Sequence, residues 1–200
     1  MKKHIFELVI IFILVATLSL GAFADTTQKN ISEKLIRLHV IANSDTQEDQ
    51  EVKLKVRDRI LEYVTELTEG CSDISEAREK IEERLPELTK IAKSVLYENG
   101  FSYNAKAELS DEFFPTREYG SFSLPAGDYN ALRIHLGKAD GKNWWCVLFP
   151  PLCLSAAEAE TVDLLETSGL SENEIKLMTS DDIEYKYKFG IVEFFQNLFS

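Results

Sequence analysis

The stretch Leu35-Ile36-Arg37-Leu38-His39-Val40-Ile41-Ala42 decides the fold, because a strand pattern changes to a helical pattern directly after it. Its aliphatic and β-branched residues predict a β-strand that is buried on at least one face. The polar residues that follow end this strand and open a helix. Ser44 with Gln47, or Asp45 with Glu48, fits a capping box, in which two side chains satisfy free backbone N–H groups.

Two amphipathic helices are predicted after this strand. Apolar residues recur every three or four positions, which places them on one side of each helix. The first stripe comprises Val52, Val56, Ile60, Tyr63 and Leu67, and the second comprises Ile74, Ala77, Ile81, Leu85, Leu88, Ala92 and Val95. Glu69-Gly70 ends the first helix. Pro86 interrupts the second stripe, so we expect a kink or a split into two pieces.

From Phe101 the hydrophobic period changes from helical to two. Strands are predicted over 101–109, 129–136 and 144–149, with an irregular stretch over 110–128 and a hairpin-like connection over 137–143. The remaining predictions are a short acidic helix over 156–168, a strand or extended segment over 183–189 and a helix over 190–199. This order predicts an α+β fold, with helices packed on one face of a mostly antiparallel sheet.

The first 24 residues have the three parts of a cleavable signal peptide. Lys2-Lys3 is a basic start, an apolar run extends from Leu8 to Leu20, and small residues follow up to Ala24. The run is shorter than the roughly 20 residues of a spanning helix. We expect cleavage after Ala24, with an uncleaved single-span anchor as the alternative. The expected organisation is a signal peptide over 1–24, a flexible leader over 25–34 and a single domain over 35–200.

The acidic composition limits the classes of partner. The chain has a formal charge of −12, and cleavage would remove two Lys and one Glu and leave −13. Such a chain repels the phosphates of nucleic acids, and electrostatic attraction does not hold it on an anionic bilayer. We expect a protein partner, weak or no direct membrane binding and no small-molecule substrate.

Three cysteines, Cys71, Cys146 and Cys153, are too few for a disulfide scaffold. Cys146 and Cys153 flank the sequence Val147-Leu148-Phe149-Pro150-Pro151-Leu152, in which the Pro-Pro pair can turn the chain back on itself. A disulfide between them is one interpretation, and two small buried hydrophobic side chains are the other. Cys71 has no evident partner.

The sequence after residue 24 lacks a recognisable catalytic set. His39 and His135 are its only histidines, and both lie in strand patterns. A nucleophilic site that combines His39 with Cys146 would need the fold to bring the two together. Nucleophile elbows, Walker-type loops, dinucleotide glycines and zinc-ligand spacings are absent from the sequence. We therefore expect no enzyme, no metal and no cofactor.

Three stretches carry residue types that anchor protein interfaces. They are the junction from His39 to Asp45, the irregular segment from Phe113 to Gly120, and Asn143-Trp144-Trp145-Cys146, which contains both tryptophans. Adjacent strand residues point to opposite faces, so only one tryptophan can lie in a given core layer. The candidate partner-binding residues are His39, Asn43, Asp45, Arg117, Tyr119, Trp144 and Trp145. Internal packing is the alternative for each of them.

Four blocks of sequence occur in order between about residue 35 and residue 153. They are His39-Val40-Ile41-Ala42-Asn43-Ser44-Asp45, then Phe114-Pro115-Thr116-Arg117-Glu118-Tyr119-Gly120, then Leu124-Pro125-Ala126-Gly127-Asp128-Tyr129, and last Gly141-Lys142-Asn143-Trp144-Trp145-Cys146-Val147-Leu148-Phe149-Pro150-Pro151-Leu152-Cys153. Together these blocks resemble the stage II sporulation protein R family. Residues 155–200 resemble the family only loosely.

The resemblance implies an intercellular signalling protein of endospore formation. It implies synthesis in the forespore and export into the space between the forespore and mother-cell membranes. There the protein would activate a membrane-embedded aspartic protease of the mother cell, which cuts the pro-form of the early mother-cell sigma factor. The family supplies no catalytic residues to transfer. An extracytoplasmic enzyme, such as a cell-wall hydrolase acting indirectly, and a structural protein bridging the two membranes are the alternatives.

Overall fold

The computed structural model describes residues 26–120, 122–153, 164–166 and 169–179, with residues 7, 10–12, 14 and 15 near the N-terminus. The predicted cleavage position and the predicted elements over 183–189 and 190–199 lie outside these residues, as does most of the predicted helix over 156–168. None of the helices in the described ranges is both long enough and apolar enough to span a membrane.

The segment before the first strand is a helix, α1 (residues 26–32), where the sequence predicts a flexible leader. Ile31 and Leu35 are fully buried and pack in one cluster with Phe114 and Tyr129. The prediction differs because residues 25–34 contain a single apolar side chain, and a local pattern cannot show that this one side chain is covered by the rest of the fold.

The first strand, β1 (Ile36–Ile41), forms as predicted and all of its residues are buried. The helices α2 (Gln47–Thr68), α3 (Ile74–Glu83) and α4 (Leu85–Glu98) follow. The split between α3 and α4 occurs at Arg84, just before Pro86. Proline is tolerated there because a residue in the first turn of a helix needs no intrahelical N–H bond.

The remaining strands differ from the prediction mainly at their ends. They are β2 (Ala105–Phe114), β3 (Arg117–Glu118), β4 (Ser123–Leu124), β5 (Gly127–Leu136) and β6 (Asn143–Phe149), and a helix α5 (Glu172–Thr179) follows them. β2 begins later and ends later than the strand predicted over 101–109, so part of the predicted irregular stretch is sheet. α5 was not predicted.

The main sheet has four strands in the order β2-β5-β1-β6, and β3 pairs with β4 in a separate ladder. β1 runs parallel to β5 and antiparallel to β6, and β2 runs antiparallel to β5. The fold is therefore α+β with a mixed, mostly antiparallel sheet, as predicted. The connection over 137–143 is not a hairpin, because β1 lies between β5 and β6 and the connection crosses the end of β1.

Each face of the sheet carries its own hydrophobic core. On the first face, β1 places Leu38 and Val40 against apolar residues of α2, α3 and α4 such as Val56, Ile81 and Leu96. On the second face, a cluster that includes residues of α1 and α5 covers part of the sheet. The three helices after β1 thus occupy one face, as predicted, while Arg37 and His39 of β1 point to the other.

Candidate partner-binding site

The structure separates the seven candidate residues into three places. The side chains of His39, Arg117, Tyr119 and Trp145 come together on the second face of the sheet. Asn43 and Asp45 lie in the turn after β1, and Trp144 lies on the first face beside Arg57. The four residues of the second face join with Arg37, Phe114 and Tyr129 in one group, which we call the arginine–aromatic cluster: Arg37, His39, Phe114, Arg117, Tyr119, Tyr129 and Trp145.

Arg37 is the centre of this cluster and has no exposed surface. Its Nε donates to the carbonyl oxygen of Cys146 at 3.0 Å, and its Nη2 donates to the hydroxyl of Tyr119. The guanidinium carbon lies 4.3 Å from the ring centre of Phe114 and 5.0 Å from that of Tyr129. The negative faces of these rings attract the cation and replace part of its lost hydration.

Burial dominates the electrostatics of Arg37 and its neighbours. Desolvation lowers the pKa of Arg37, and the nearby charge of Arg117 adds to this, while Tyr119 and Tyr129 act against it. Desolvation also raises the pKa of Tyr119, with Arg37 opposing the change. The tyrosine therefore stays a neutral hydroxyl at physiological pH and can accept the hydrogen bond from the guanidinium.

His39 is 5% exposed and faces the same side of the sheet. Its Nδ1 lies 2.8 Å from Oε2 of Glu112, an oxygen that is also 3.3 Å from Nε of Arg133. With the proton on Nδ1, the imidazole donates to the carboxylate. The histidine ring packs 5.5 Å from the ring centre of Trp145, its neighbour across the β1–β6 pair. Glu112 thus fixes the orientation of His39 against the tryptophan.

Arg117, Tyr119 and Trp145 form the partly exposed side of the cluster. The guanidinium carbon of Arg117 lies 3.8 Å from the ring centre of Trp145. Tyr119 stacks on Phe122 with ring centres 4.9 Å apart, which holds its hydroxyl at Arg37. Arg117 lies in β3 and Tyr119 directly follows it, so part of the predicted irregular segment forms a small ladder with β4 in the structure.

Asn43 and Asp45 hold the connection that crosses the end of β1. Oδ1 of Asn43 accepts from the backbone N–H of Lys138 at 3.0 Å, and Oδ1 of Asp45 accepts from that of Lys142 at 2.6 Å. The connection lies so close to the turn after β1 that a Cβ on Gly141 would be 2.2 Å from the carbonyl oxygen of Ser44. The structure gives these two candidates a role in positioning the chain before β6.

The turn is anchored by Asp49, which the sequence analysis did not identify. The carboxylate is 5% exposed and accepts from the hydroxyl of Ser44 at 2.5 Å, from Nδ2 of Asn43 at 2.8 Å and from the hydroxyl of Tyr103 at 2.6 Å. Burial alone would raise the pKa of Asp49, but these hydrogen bonds and one to Thr46 outweigh it and lower the pKa. Thr46, not Ser44 or Asp45, caps α2 by accepting from the backbone N–H of Asp49 at 3.3 Å.

Trp144 and Trp145 point to opposite faces, as predicted from strand geometry. Trp144 is 37% exposed, and the guanidinium carbon of Arg57 lies 4.2 Å from its ring centre. This second cation–π pair contacts α2 instead of the arginine–aromatic cluster. Because the two tryptophans lie on opposite faces of the sheet, one contact surface of a partner cannot bind both.

The cysteines do not form the Cys–His site considered from the sequence. Cys146 is joined to Cys153 by a disulfide with a Cα–Cα distance of 5.7 Å. Cys146 packs in the core of the first face, whereas His39 points to the second. Cys71 is a free, half-buried thiol. Within the ranges that the structure describes, no group of three His, Cys, Asp or Glu side chains could hold a metal ion.

Comparison with known proteins identifies the family. The model of the family Stage II sporulation protein R (spore_II_R) matches residues 32–159. The chain belongs to the stage II sporulation protein R family. It is 34% identical over 224 residues to the stage II sporulation protein R of Bacillus subtilis (strain 168), and the alignment covers 100% of both chains. No solved structure matches.

The family match covers β1 to β6 and therefore every residue of the arginine–aromatic cluster. The resemblance noted in the sequence is confirmed. α5, at Glu172–Thr179, lies beyond the range of the family model, but the alignment with the Bacillus subtilis relative includes it. Beyond the seven candidates, the structure adds five residues: Arg37, Phe114 and Tyr129 in the cluster, Glu112 beside His39, and Asp49 in the turn after β1. The signal for Arg37 was a permanently charged side chain inside a predicted buried strand.

Proposed function

We propose that this protein is an exported signal of endospore formation that activates a membrane-embedded aspartic protease of the mother cell. Activation leads to cleavage of the pro-form of the early mother-cell sigma factor. Family membership supports the role in sporulation, and the resemblance that the sequence carries supports the finer steps. The observation that favours a binding role is the arginine–aromatic cluster, which offers arginine and aromatic side chains at a partly exposed surface.

The proposed mechanism is a difference in affinity for two states of the protease. A ligand shifts an equilibrium only if it binds one state more tightly than the other, and a near-complete switch needs about 5.5 kcal/mol of difference. A few central contacts can supply such a difference, because arginine and aromatic side chains dominate interface energies. We assign these contacts to Arg117, Tyr119 and Trp145, with His39 and Arg37 holding them from beneath.

In this proposal the protein must be exported, because it acts on the extracytoplasmic side of the membrane. The described apolar residues near the N-terminus are between 42% and 73% exposed; they are Ile10, Ile11, Phe12, Leu14 and Val15. These exposed apolar side chains belong to the run that the sequence predicts to be a signal peptide. Release into the space between the forespore and mother-cell membranes is the localisation that we propose.

The experiment is reconstitution in a bacterium that does not form spores. The full chain is expressed with the protease and its tagged pro-sigma substrate, and cleavage is followed by the change in size of the tag-bearing fragment. Leu14→Arg interrupts the apolar run and blocks export, whereas Leu14→Ile is the matched control. We expect processing with the wild type and with Leu14→Ile, and none with Leu14→Arg. Equal processing with the export-blocked chain would contradict the proposal.

The same assay tests the surface. Removing the ring in Trp145→Ala should weaken binding by about 2 kcal/mol, or about thirtyfold in affinity, as expected for a central aromatic anchor. Tyr97, which is 82% exposed on α4, provides the matched control Tyr97→Ala. Circular dichroism checks that both variants are folded. If Tyr97→Ala loses processing and Trp145→Ala does not, the binding surface lies on the helices and the proposed surface is wrong.

A further inference from the structure

We infer that the arginine–aromatic cluster receives a carboxylate side chain of the protein partner at the half-exposed surface of Arg117, Tyr119 and Trp145. This inference rests on the proposed function and names the chemistry that the partner brings to the same site. Three observations carry it: unpartnered nitrogen atoms, unpaired positive charge and the geometry of the Arg117–Trp145 stack.

The cluster contains buried nitrogen atoms that have no hydrogen-bond partner. Nη1 of Arg37 and Nε of Arg117 are buried N–H groups that have no hydrogen-bond acceptor among the described residues. Arg37 itself has no exposed surface, so a ligand at the half-exposed surface acts on it through charge and not through a direct hydrogen bond. A buried donor without an acceptor raises the free energy of the protein, and nearly all such groups in proteins find a partner. A ligand that brings negative charge to the surface above these groups is therefore favoured.

The positive charge of the cluster is not neutralised within the described part of the chain. Glu112 is the carboxylate that contacts the cluster, and it is shared between His39 and Arg133. Neither Arg37 nor Arg117 forms an ion pair with a carboxylate of the described residues, in a protein whose formal charge is −12. Two unpaired guanidinium groups beside aromatic rings attract an anion, and water screens the charge of the buried Arg37 less than that of the partly exposed Arg117.

The stack of Arg117 on Trp145 leaves an edge for a carboxylate. The guanidinium carbon of Arg117 lies over the ring of Trp145, 3.8 Å from the ring centre. The N–H groups lie in the plane of the guanidinium, and a carboxylate binds that edge with two parallel hydrogen bonds. The rings of Trp145 and Tyr119 provide apolar surface for the methylene groups of an aspartate or glutamate. Arg37 beneath adds its charge.

The direct test is titration of the full chain with capped peptides, followed by NMR. Acetyl-Gly-Glu-Gly-amide carries one carboxylate, and acetyl-Gly-Gln-Gly-amide is its neutral match. The protein has two tryptophans, one on each face of the sheet. The indole N–H signal of Trp145 therefore reports binding at the proposed site, and that of Trp144 serves as an internal control. The variant Trp144→Phe assigns the two signals.

We expect the Glu peptide to shift the Trp145 signal with an affinity about tenfold higher than that of the Gln peptide, the change expected from a hydrogen bond to a charged group. The Trp144 signal should stay in place. Arg117→Gln should abolish the difference between the peptides, and Arg117→Lys should retain part of it. Arg78→Gln on α3, where the arginine pairs with Glu82, is the matched control and should behave as wild type.

Three outcomes would overturn the inference. Equal shifts with both peptides would show that the carboxylate is not recognised. A larger shift of Trp145 with inorganic phosphate than with the Glu peptide would show a phosphate site. A shift that persists in Arg117→Gln, with Trp144 unmoved as evidence of folding, would place the binding elsewhere.

The processing assay separates this inference from the proposed function. If Arg117→Glu abolishes processing and Arg78→Glu does not, while the peptides bind as expected, both stand. If Arg117→Glu abolishes processing but the peptides do not discriminate, the signalling role stands and the carboxylate inference falls. If the peptides discriminate and Arg117→Glu processes normally, the site binds carboxylates but does not serve the proposed function.

Discussion

Replacement of Asp49 should destabilise the domain through the turn that precedes α2. Asp49→Ala removes the acceptor of three hydrogen bonds, from Asn43, Ser44 and Tyr103. A hydrogen bond to a charged group contributes about 1.5 to 3 kcal/mol. Asn43, Ser44 and Tyr103 are half-exposed and can partly rebond to water. We therefore expect a loss of about 3 kcal/mol in the free energy of unfolding, which is smaller than the sum of three full bonds.

The assay is urea unfolding followed by circular dichroism, with a double-mutant cycle to isolate one bond. Tyr103→Phe should cost about 1.5 kcal/mol, and its effect should largely vanish in the Asp49→Ala background. Tyr97→Phe, at an exposed tyrosine, is the matched control and should cost less than about 0.5 kcal/mol. A loss below about 1 kcal/mol for Asp49→Ala, or full additivity of the two changes, would refute this account of the turn.

Three further predictions concern the stability of the domain. The pKa of Asp49 is lower in the folded protein than in the unfolded chain, so its ionised form stabilises the fold above the unfolded-state pKa. This stability is lost as pH falls through the folded-state pKa. Asp49→Asn should therefore reduce the loss of stability at acid pH in a profile of unfolding free energy against pH. Gly141→Ala should cost about 2 kcal/mol in urea unfolding because its Cβ would meet backbone, whereas unchanged stability would argue against the close crossing. Replacing Cys146 and Cys153 together by Ser should cost about 2 kcal/mol by removing a short closed loop, and reducing agent should then have no added effect.

Local pattern predicted β1, α2, α3, α4, β2, β5 and β6, but not α1, β3, β4 and α5, and not which strands are neighbours in the sheet. The alternating faces of β6 and the split at Pro86 depend on residues a few positions apart, so the sequence carries them directly. The insertion of β1 between β5 and β6 depends on packing between distant segments. The connection over 137–143 therefore looked like a hairpin, although it crosses the end of β1 and is held by Asn43 and Asp45.

The sequence predicted several residues of the candidate site, but not which of them lie together in the structure. Arg117, Tyr119 and Trp145 were selected because such residues anchor interfaces, and the fold brings them together with His39. Arg37 was not selected, since a charged residue in a buried strand runs against the usual partition of polar side chains. Only the three-dimensional structure shows the aromatic rings that surround its guanidinium.

The catalytic alternative has a simple test in the processing assay. His135 contacts Glu108 at 3.0 Å on the second face of the sheet, outside the arginine–aromatic cluster. An extracytoplasmic hydrolase that used His135 or the free thiol of Cys71 would lose activity in His135→Gln or Cys71→Ser while remaining folded. We expect both variants to support processing at the wild-type level, because neither residue contacts the proposed binding surface.

Photo-cross-linking in sporulating cells tests the central claim most directly. A photoreactive phenylalanine analogue replaces Trp145 in one strain and Tyr97 in a control strain, each in the full chain. We predict that illumination joins the Trp145 position, and not the Tyr97 position, to the membrane-embedded protease of the mother cell. A protease adduct from Tyr97 alone, or adducts from Trp145 that contain only other proteins, would contradict the account.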